Sequence, residues 1–153
     1  MQWILRLHRL SSGLQRARLG VLSRAIDGIS RIVFAASLPG RARIGERVFF
    51  HHSGLGVVVN KLSVIEDDCE IGVHVVLGGR APDIGAPYLE RGVIVHAGAR
   101  IIGPVRIGAG AVIGANAVVL DDVPSGALAV GVPAVVKRLE IDPRAYAHRA
   151  SPR

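Results

Sequence analysis

Aliphatic residues recur at every sixth position through much of this chain, and that period decides what it can fold into. From Leu89 the series runs through Val95, Ile101, Ile107, Ile113 and Val119. From Val59 it runs through Ile65, Ile71 and Leu77, and Ile44 with Phe50 form an earlier pair. Four residues after each anchor the side chain is small or β-branched, as at Val48, Ser63, Cys69, Val75, Val93, Ala99, Val105, Ala111 and Ala117. Such a period is neither the 3.6 of a helix nor the alternation of strands joined by hairpins. Three six-residue units, each a short strand and a corner, close one triangular coil, and stacked coils bury a continuous core. The expectation is an all-β core, a parallel β-helix of hexapeptide repeats, with a short helical segment before it.

Composition agrees with a narrow core. Half the residues are hydrophobic but only 4% are aromatic, so Val, Ile and Ala must supply the filling. Charge is placed unevenly. Residues 1–47 hold nine arginines against Asp27 and Glu46 and so carry the whole formal excess of +7. The rest of the chain is balanced, so the basic character belongs to an appendage. Residues 2–36 show helical spacing in Leu14, Leu19, Val21, Leu22, Ala25, Ile26, Ile29 and Ile32, with arginines on the other face. One or two helices there should cover the open first coil. Peripheral membrane contact through residues 1–32 is a possible use of that basic arm. Three regions follow: a helical segment at 1–36, the β-helix at 37–137 and a charged tail at 138–153. After Val119 the segment Asp121-Asp122-Val123-Pro124 is expected to leave the β-helix, with a last short strand after Gly131-Val132-Pro133-Ala134.

Several function classes are disfavoured. One cysteine, Cys69, allows no internal disulfide framework and suits a reducing compartment. It falls at a small inward position, which explains it without reactivity. No uncharged apolar run reaches the ~18 residues of a membrane span, and the start is poor material for a signal peptide. A cytoplasmic location is the expectation. The basic segment lacks interleaved aromatic residues, so no nucleic-acid partner is expected. His51, His52, His74 and His96 match no compact ligand spacing, so no metal is expected. His74 and His96 occupy non-anchor positions and should face outward, where His96 could line a subunit interface. His8 and His148 lie in terminal segments. Asp67, Asp68 and Glu70 read as a solvated acidic edge at a corner.

The repeat breaks twice, at His51-His52-Ser53-Gly54-Leu55-Gly56 and between Leu77 and Leu89. Breaks in a solenoid project as loops, and such loops commonly build the site.

Around these breaks the chain resembles a known family. Ala42-Arg43-Ile44-Gly45, His52, Gly56-Val57-Val58-Val59 and Leu77-Gly78-Gly79 resemble the serine acetyltransferases and their short relatives. So do Gly92-Val93-Ile94-Val95-His96-Ala97-Gly98-Ala99, Ile113-Gly114-Ala115-Asn116-Ala117 and Gly131-Val132-Pro133-Ala134. The resemblance covers about residues 36–137. It implies a left-handed coil and acetyl transfer from acetyl-CoA to a hydroxyl, in a homotrimer with active sites between protomers. It places the catalytic base at His52, acceptor contacts at His51 and Ser37, and CoA contacts at Gly79, Ala97, Ala115 and Lys137. The chain departs from the family where an Asp orients the base (Ser37 here), where an Asp precedes it (His51), and where an Arg-His pair precedes a Pro (Gly85-Ala86 before Pro87). The base and CoA features are present while the serine-recognition features are not, so the acceptor is L-serine or a sugar or polysaccharide intermediate. The other reading is a non-catalytic β-helix scaffold or CoA-binding protein.

Chemistry supports a histidine in the role that the resemblance gives His52. A hydroxyl is a weak nucleophile, and imidazole titrates near working pH and can take its proton. The tetrahedral oxyanion formed from a thioester is best held by fixed backbone N–H groups, for which Gly54 and Gly56 are candidates.

Overall fold

The repeat closes into coils, as its period requires. The structure, a computed structural model, describes residues 2–147. Its strands are β1 (Arg43–Ile44), β2 (Phe49–Phe50), β3 (Val58–Val59), β4 (Val64–Ile65), β5 (Glu70–Ile71), β6 (Val76–Gly78) and β7 (Tyr88–Leu89). They continue as β8 (Ile94–Val95), β9 (Arg100–Ile102), β10 (Arg106–Ile107), β11 (Val112–Ile113), β12 (Val118–Val119) and β13 (Leu128–Val130). Three parallel faces result: β1-β4-β7-β10, β2-β5-β8-β11-β13 and β3-β6-β9-β12. The coil is a left-handed parallel β-helix.

Register follows the anchors. Phe50, Ile71, Val95, Ile113 and Ala129 stack on one face, and Val59, Leu77, Ile101 and Val119 on another. In each two-residue strand the second side chain points inward, as where Val58 is exposed and Val59 buried. The small column is buried throughout. Cys69 belongs to it: its Sγ lies 3.2 Å from the Glu90 carbonyl, and burial pushes the thiol pKa up to about 12. Such a thiol carries almost no thiolate near neutrality and is unreactive.

The chain stays in the coil further than its sequence suggests. Val123 bridges Ile107, and β13 pairs in parallel with β11. Val123, Ala127 and Ala129 are all buried. The Asp121-Asp122 corner is merely shortened, with the Asp122 carboxylate accepting the Arg106 N–H at 2.7 Å. Departure comes only after Val130, where β14 (Val135–Arg138) returns antiparallel along β13. His148 lies outside the described residues.

At the other end, α1 (Trp3–Arg16) closes the first coil with Ile4 and Leu5. Gln2 holds the edge, accepting the Phe50 N–H at 2.8 Å while its own amide donates to the Phe50 carbonyl. The second helix, α2 (Gly20–Phe34), is turned opposite to expectation. Its buried residues are Ser23 and Ser30, while Val21, Leu22, Ile29 and Ile32 are exposed. Hydrogen bonding decides the orientation. Ser11 of α1 meets the Ser23 hydroxyl at 2.9 Å and donates to Asp27 at 2.6 Å. Asp27 also accepts the Gly40 N–H at 3.3 Å. Polar groups with fixed partners and small side chains bring the helices together, and the aliphatic stripe is left outside.

Buried His8 makes stability pH-dependent. Its Nδ1 lies 3.3 Å from the Leu38 carbonyl, and burial lowers its pKa below the usual 6.5. The unfolded chain therefore binds a proton at this site before the folded chain does. Stability is fully present above 6.5 and is lost as pH falls toward the lowered folded value. Thermal melts at about pH 7.5 and about pH 5.5 should show a larger loss for the wild type than for His8→Asn.

Candidate active site

Between Phe50 and Val59 the chain spends three residues more than a regular corner, and the surplus forms a 3-10 turn at His51–Gly54. Several other corners use a single left-handed residue, such as Asp68, His74 or Asn116. Here His52 (φ 47°), Ser53 (φ 57°) and Gly54 (φ 78°) follow one another in that region. Non-glycine residues pay about 1–2 kcal/mol each for it, so the turn must be held by its surroundings. Beneath it sits the fully buried Phe50, with Gly54 between that ring and Ile4. Gly56 closes the turn at φ +70°, where a Cβ would come within 2.0 Å of His74 Nδ1. Only glycine fits there.

The two adjacent histidines differ. His51 is held: its ring stands edge-on to Phe49, centroids 4.9 Å apart. Its Nε2 lies 3.3 Å from Glu70 Oε2, the two side chains being only 18% and 13% exposed. Phe49 pairs with Glu70 in the β2–β5 register, which brings Glu70 under the turn. Glu70 is thus no part of a solvated edge, as the sequence had suggested. Asp67 and Asp68 do form such an edge, tied to Arg47. His52 is exposed at the tip of the turn.

His51, His52, His96 and Ala97 line one cavity of about 150 Å³, with Gly72, Val73, Ile94 and Val95 as its floor. His96 arrives from the corner after β8. The other sequence-predicted residues lie elsewhere. The Ser37 hydroxyl accepts from Arg31 at 3.4 Å, and Ser37 bridges Val58 at the start of the β3 face. Gly79 follows β6, beside Asn60 and the Gly85 carbonyl. Ala115 occupies the corner one coil above Ala97, whose carbonyl accepts the Asn116 N–H at 2.9 Å. Lys137 is exposed on β14. The Gly56 N–H is spent on the Ala35 carbonyl at 3.1 Å, so it cannot serve an oxyanion. Glu70 is the residue that sequence reasoning missed. A wider groove of about 800 Å³ runs between α1 and the β1-β4-β7 face, lined by several arginines, with His8 as its one histidine. The His8 ring is turned to Leu38 and Ser12, so that groove offers no exposed imidazole.

The second break, residues 79–87, leaves the body as a loop. Arg80 ties it down, pairing with Asp83 at 3.2 Å and donating to the Leu120 carbonyl at 3.1 Å. Its tip, Ile84, is 94% exposed. Among the described residues no cluster of three His, Cys, Asp or Glu side chains suited to an ion occurs.

These coils define a hexapeptide-repeat protein: residues 86–121 match the family described as bacterial transferase hexapeptide (six repeats). The serine acetyltransferase of Helicobacter pylori (strain 26695) is 38% identical over 126 residues, covering 81% of this chain and 73% of that protein. That of Synechococcus elongatus is 38% identical over 128 residues, 82% of this chain and 52% of its own length. The crystal structure of serine acetyltransferase in complex with coenzyme A from Brucella abortus superposes with a TM-score of 0.83 at 32% identity, covering 87% of this chain and 54% of that one. The chain belongs to the serine acetyltransferase family. It spans about half the length of the Synechococcus and Brucella proteins.

Proposed function

We propose that the protein is an acetyl-CoA-dependent O-acetyltransferase in which His52 is the general base. The observation that carries this is the strained turn that presents one exposed imidazole at the mouth of a cavity, in a chain whose relatives are serine acetyltransferases. In the reaction His52 takes the proton of the acceptor hydroxyl while its oxygen attacks the thioester carbonyl carbon. The oxyanion collapses, the C–S bond breaks, and the CoA thiolate leaves with the proton that the imidazole returns. His51, fixed by Glu70 and Phe49, forms the wall against which the acceptor is set. The Ala97 N–H donates to no carbonyl among the described residues, and Ala97 lines the cavity, so this amide would be available to a ligand oxygen. Gly79, Ala115 and Lys137 follow the corners and the last strand along which the CoA arm would run.

A cavity of about 150 Å³ is half or less of the ~300–1,000 Å³ usual for a small-molecule site. A second copy supplying the opposite wall would enlarge it, in the homotrimer with sites between protomers that the resemblance to the serine acetyltransferases implies.

The acceptor is L-serine on the strength of the relatives. A second reading, a sugar hydroxyl, is favoured by one observation: no Arg or Lys lines the cavity, whereas an amino-acid carboxylate is best held by a cation. Thiol release from acetyl-CoA, measured with L-serine and with nucleotide-linked or lipid-linked sugars, separates the two. Faster turnover with serine selects the first reading, and faster turnover with a sugar the second. Absence of thiol release with every acceptor, together with no thermal shift on adding CoA, would leave the non-catalytic scaffold.

A further inference from the structure

The helical hairpin wears its apolar side outward. On α2, Val21, Leu22, Ala25, Ile29, Ile32 and Val33 fall on one side of the helix, with Val21 81% and Ile32 87% exposed. The opposite side, Ser23, Asp27 and Ser30, is the one packed against α1 and the first coil. Trp3 and Leu10 of α1, seven residues apart, are exposed as well. A continuous aliphatic stripe of this kind marks a contact surface rather than ordinary scatter.

Its charge says what it contacts. Arg6, Arg18 and Arg24 are exposed on the hairpin, while Arg9 and Arg16 line the groove toward the β1-β4-β7 face and Arg31 donates to Ser37; Asp27 is the one acid in residues 2–45. That carboxylate is turned inward to Ser11 and Gly40. The outer surface is therefore apolar and basic, without an outward acid. A second copy of the chain would bring arginines against arginines. A surface of anionic headgroups over acyl chains complements both properties. No helix among the described residues is long and apolar enough to cross a bilayer, which leaves lying in the interface. The Arg6 guanidinium stacks over the Trp3 ring at 4.5 Å, an amphipathic pair suited to the headgroup level.

We infer that the α1–α2 hairpin docks the protein on an anionic lipid surface. The α2 stripe enters the acyl boundary and the arginines meet headgroup phosphates. The inference is independent of the acetyl-transfer reading, since it uses no residue of the candidate site.

Flotation of the full chain with vesicles tests it, equimolar phosphatidylcholine and phosphatidylglycerol against phosphatidylcholine alone. The protein should float with the anionic vesicles, remain behind with the neutral ones, and be released by salt. The triple variant Val21→Ser, Ile29→Ser, Ile32→Ser should lose about tenfold or more in partitioning with its melting temperature unchanged. The single variant Ile32→Asp should weaken binding in the same direction. Arg18→Glu with Arg24→Glu should abolish the preference for anionic lipid. Equal or absent partitioning on the two vesicle types overturns the proposal. So does a triple variant that floats like the wild type, or one that alters only the sedimentation of the free protein, which would assign the stripe to a second copy.

Discussion

His52→Ala is expected to slow acetyl transfer by about 10²–10⁴-fold, the usual contribution of a positioned general base. The Michaelis constant for acetyl-CoA should change little, because the imidazole meets the acceptor hydroxyl rather than the cofactor arm. The side chain is exposed at the tip of its turn, so its removal costs the core nothing, and the melting temperature should stay near that of the wild type. Alanine also meets the same left-handed backbone as histidine, at φ 47°, so the turn is no more strained than before. Thiol release under saturating acceptor gives the turnover, and a thermal melt of the same sample shows that the fold is intact. His96→Ala provides the contrast. That ring shares the cavity but sits on a regular corner, and its loss should be smaller than that of His52. A His52→Ala enzyme within a few-fold of the wild type would remove the base from the mechanism and leave His96 to be tried in its place.

Much of this architecture is legible in the sequence, and the reason is geometric. A period of six fixes which side chains face inward, and each anchor from Phe50 to Val119 is buried as the pattern requires. The two breaks were legible because a solenoid makes interruptions conspicuous. What the pattern could not convey is how the rungs align across a break. Glu70 reads as one member of an acidic run. Only the pairing of Phe49 with Glu70 puts its carboxylate beneath His51, nineteen residues earlier. The helices escaped for a different reason. Spacing shows that a helix has two faces, but it does not say which face is covered. A few hydrogen bonds from Ser11 and Gly40 to Ser23 and Asp27 settle that against the hydrophobic pattern. Asp121-Asp122 reads as a terminator of the coil. Its carboxylate in fact completes a corner.

Phe50→Ala should be the most destabilising substitution near the site, costing about 3–5 kcal/mol. Phe50 is fully buried at a junction of three structures: the Ile71 rung, the histidine turn and the helical cap. Its backbone is clasped at both ends by Gln2. In a coil filled mainly by Val, Ile and Ala the neighbouring side chains are short and cannot swing into the space that the ring leaves. The cavity therefore persists and its cost is added to the lost transfer energy. Gly54 lies against that ring, with the position a Cβ would take 3.7 Å from the Phe50 Cδ1. Truncation thus removes the floor on which the three successive left-handed residues rest. Urea unfolding should show a lower midpoint for Phe50→Ala and a loss of only about 1 kcal/mol for Phe50→Leu, which refills most of the volume. Turnover assayed well below the midpoint should fall for the alanine variant even while the coil is folded, because His52 no longer has a fixed seat. If stability dropped as expected but turnover per folded molecule did not, the turn would be held by Gly56, His74 and the Ala35 carbonyl instead of by the ring beneath it.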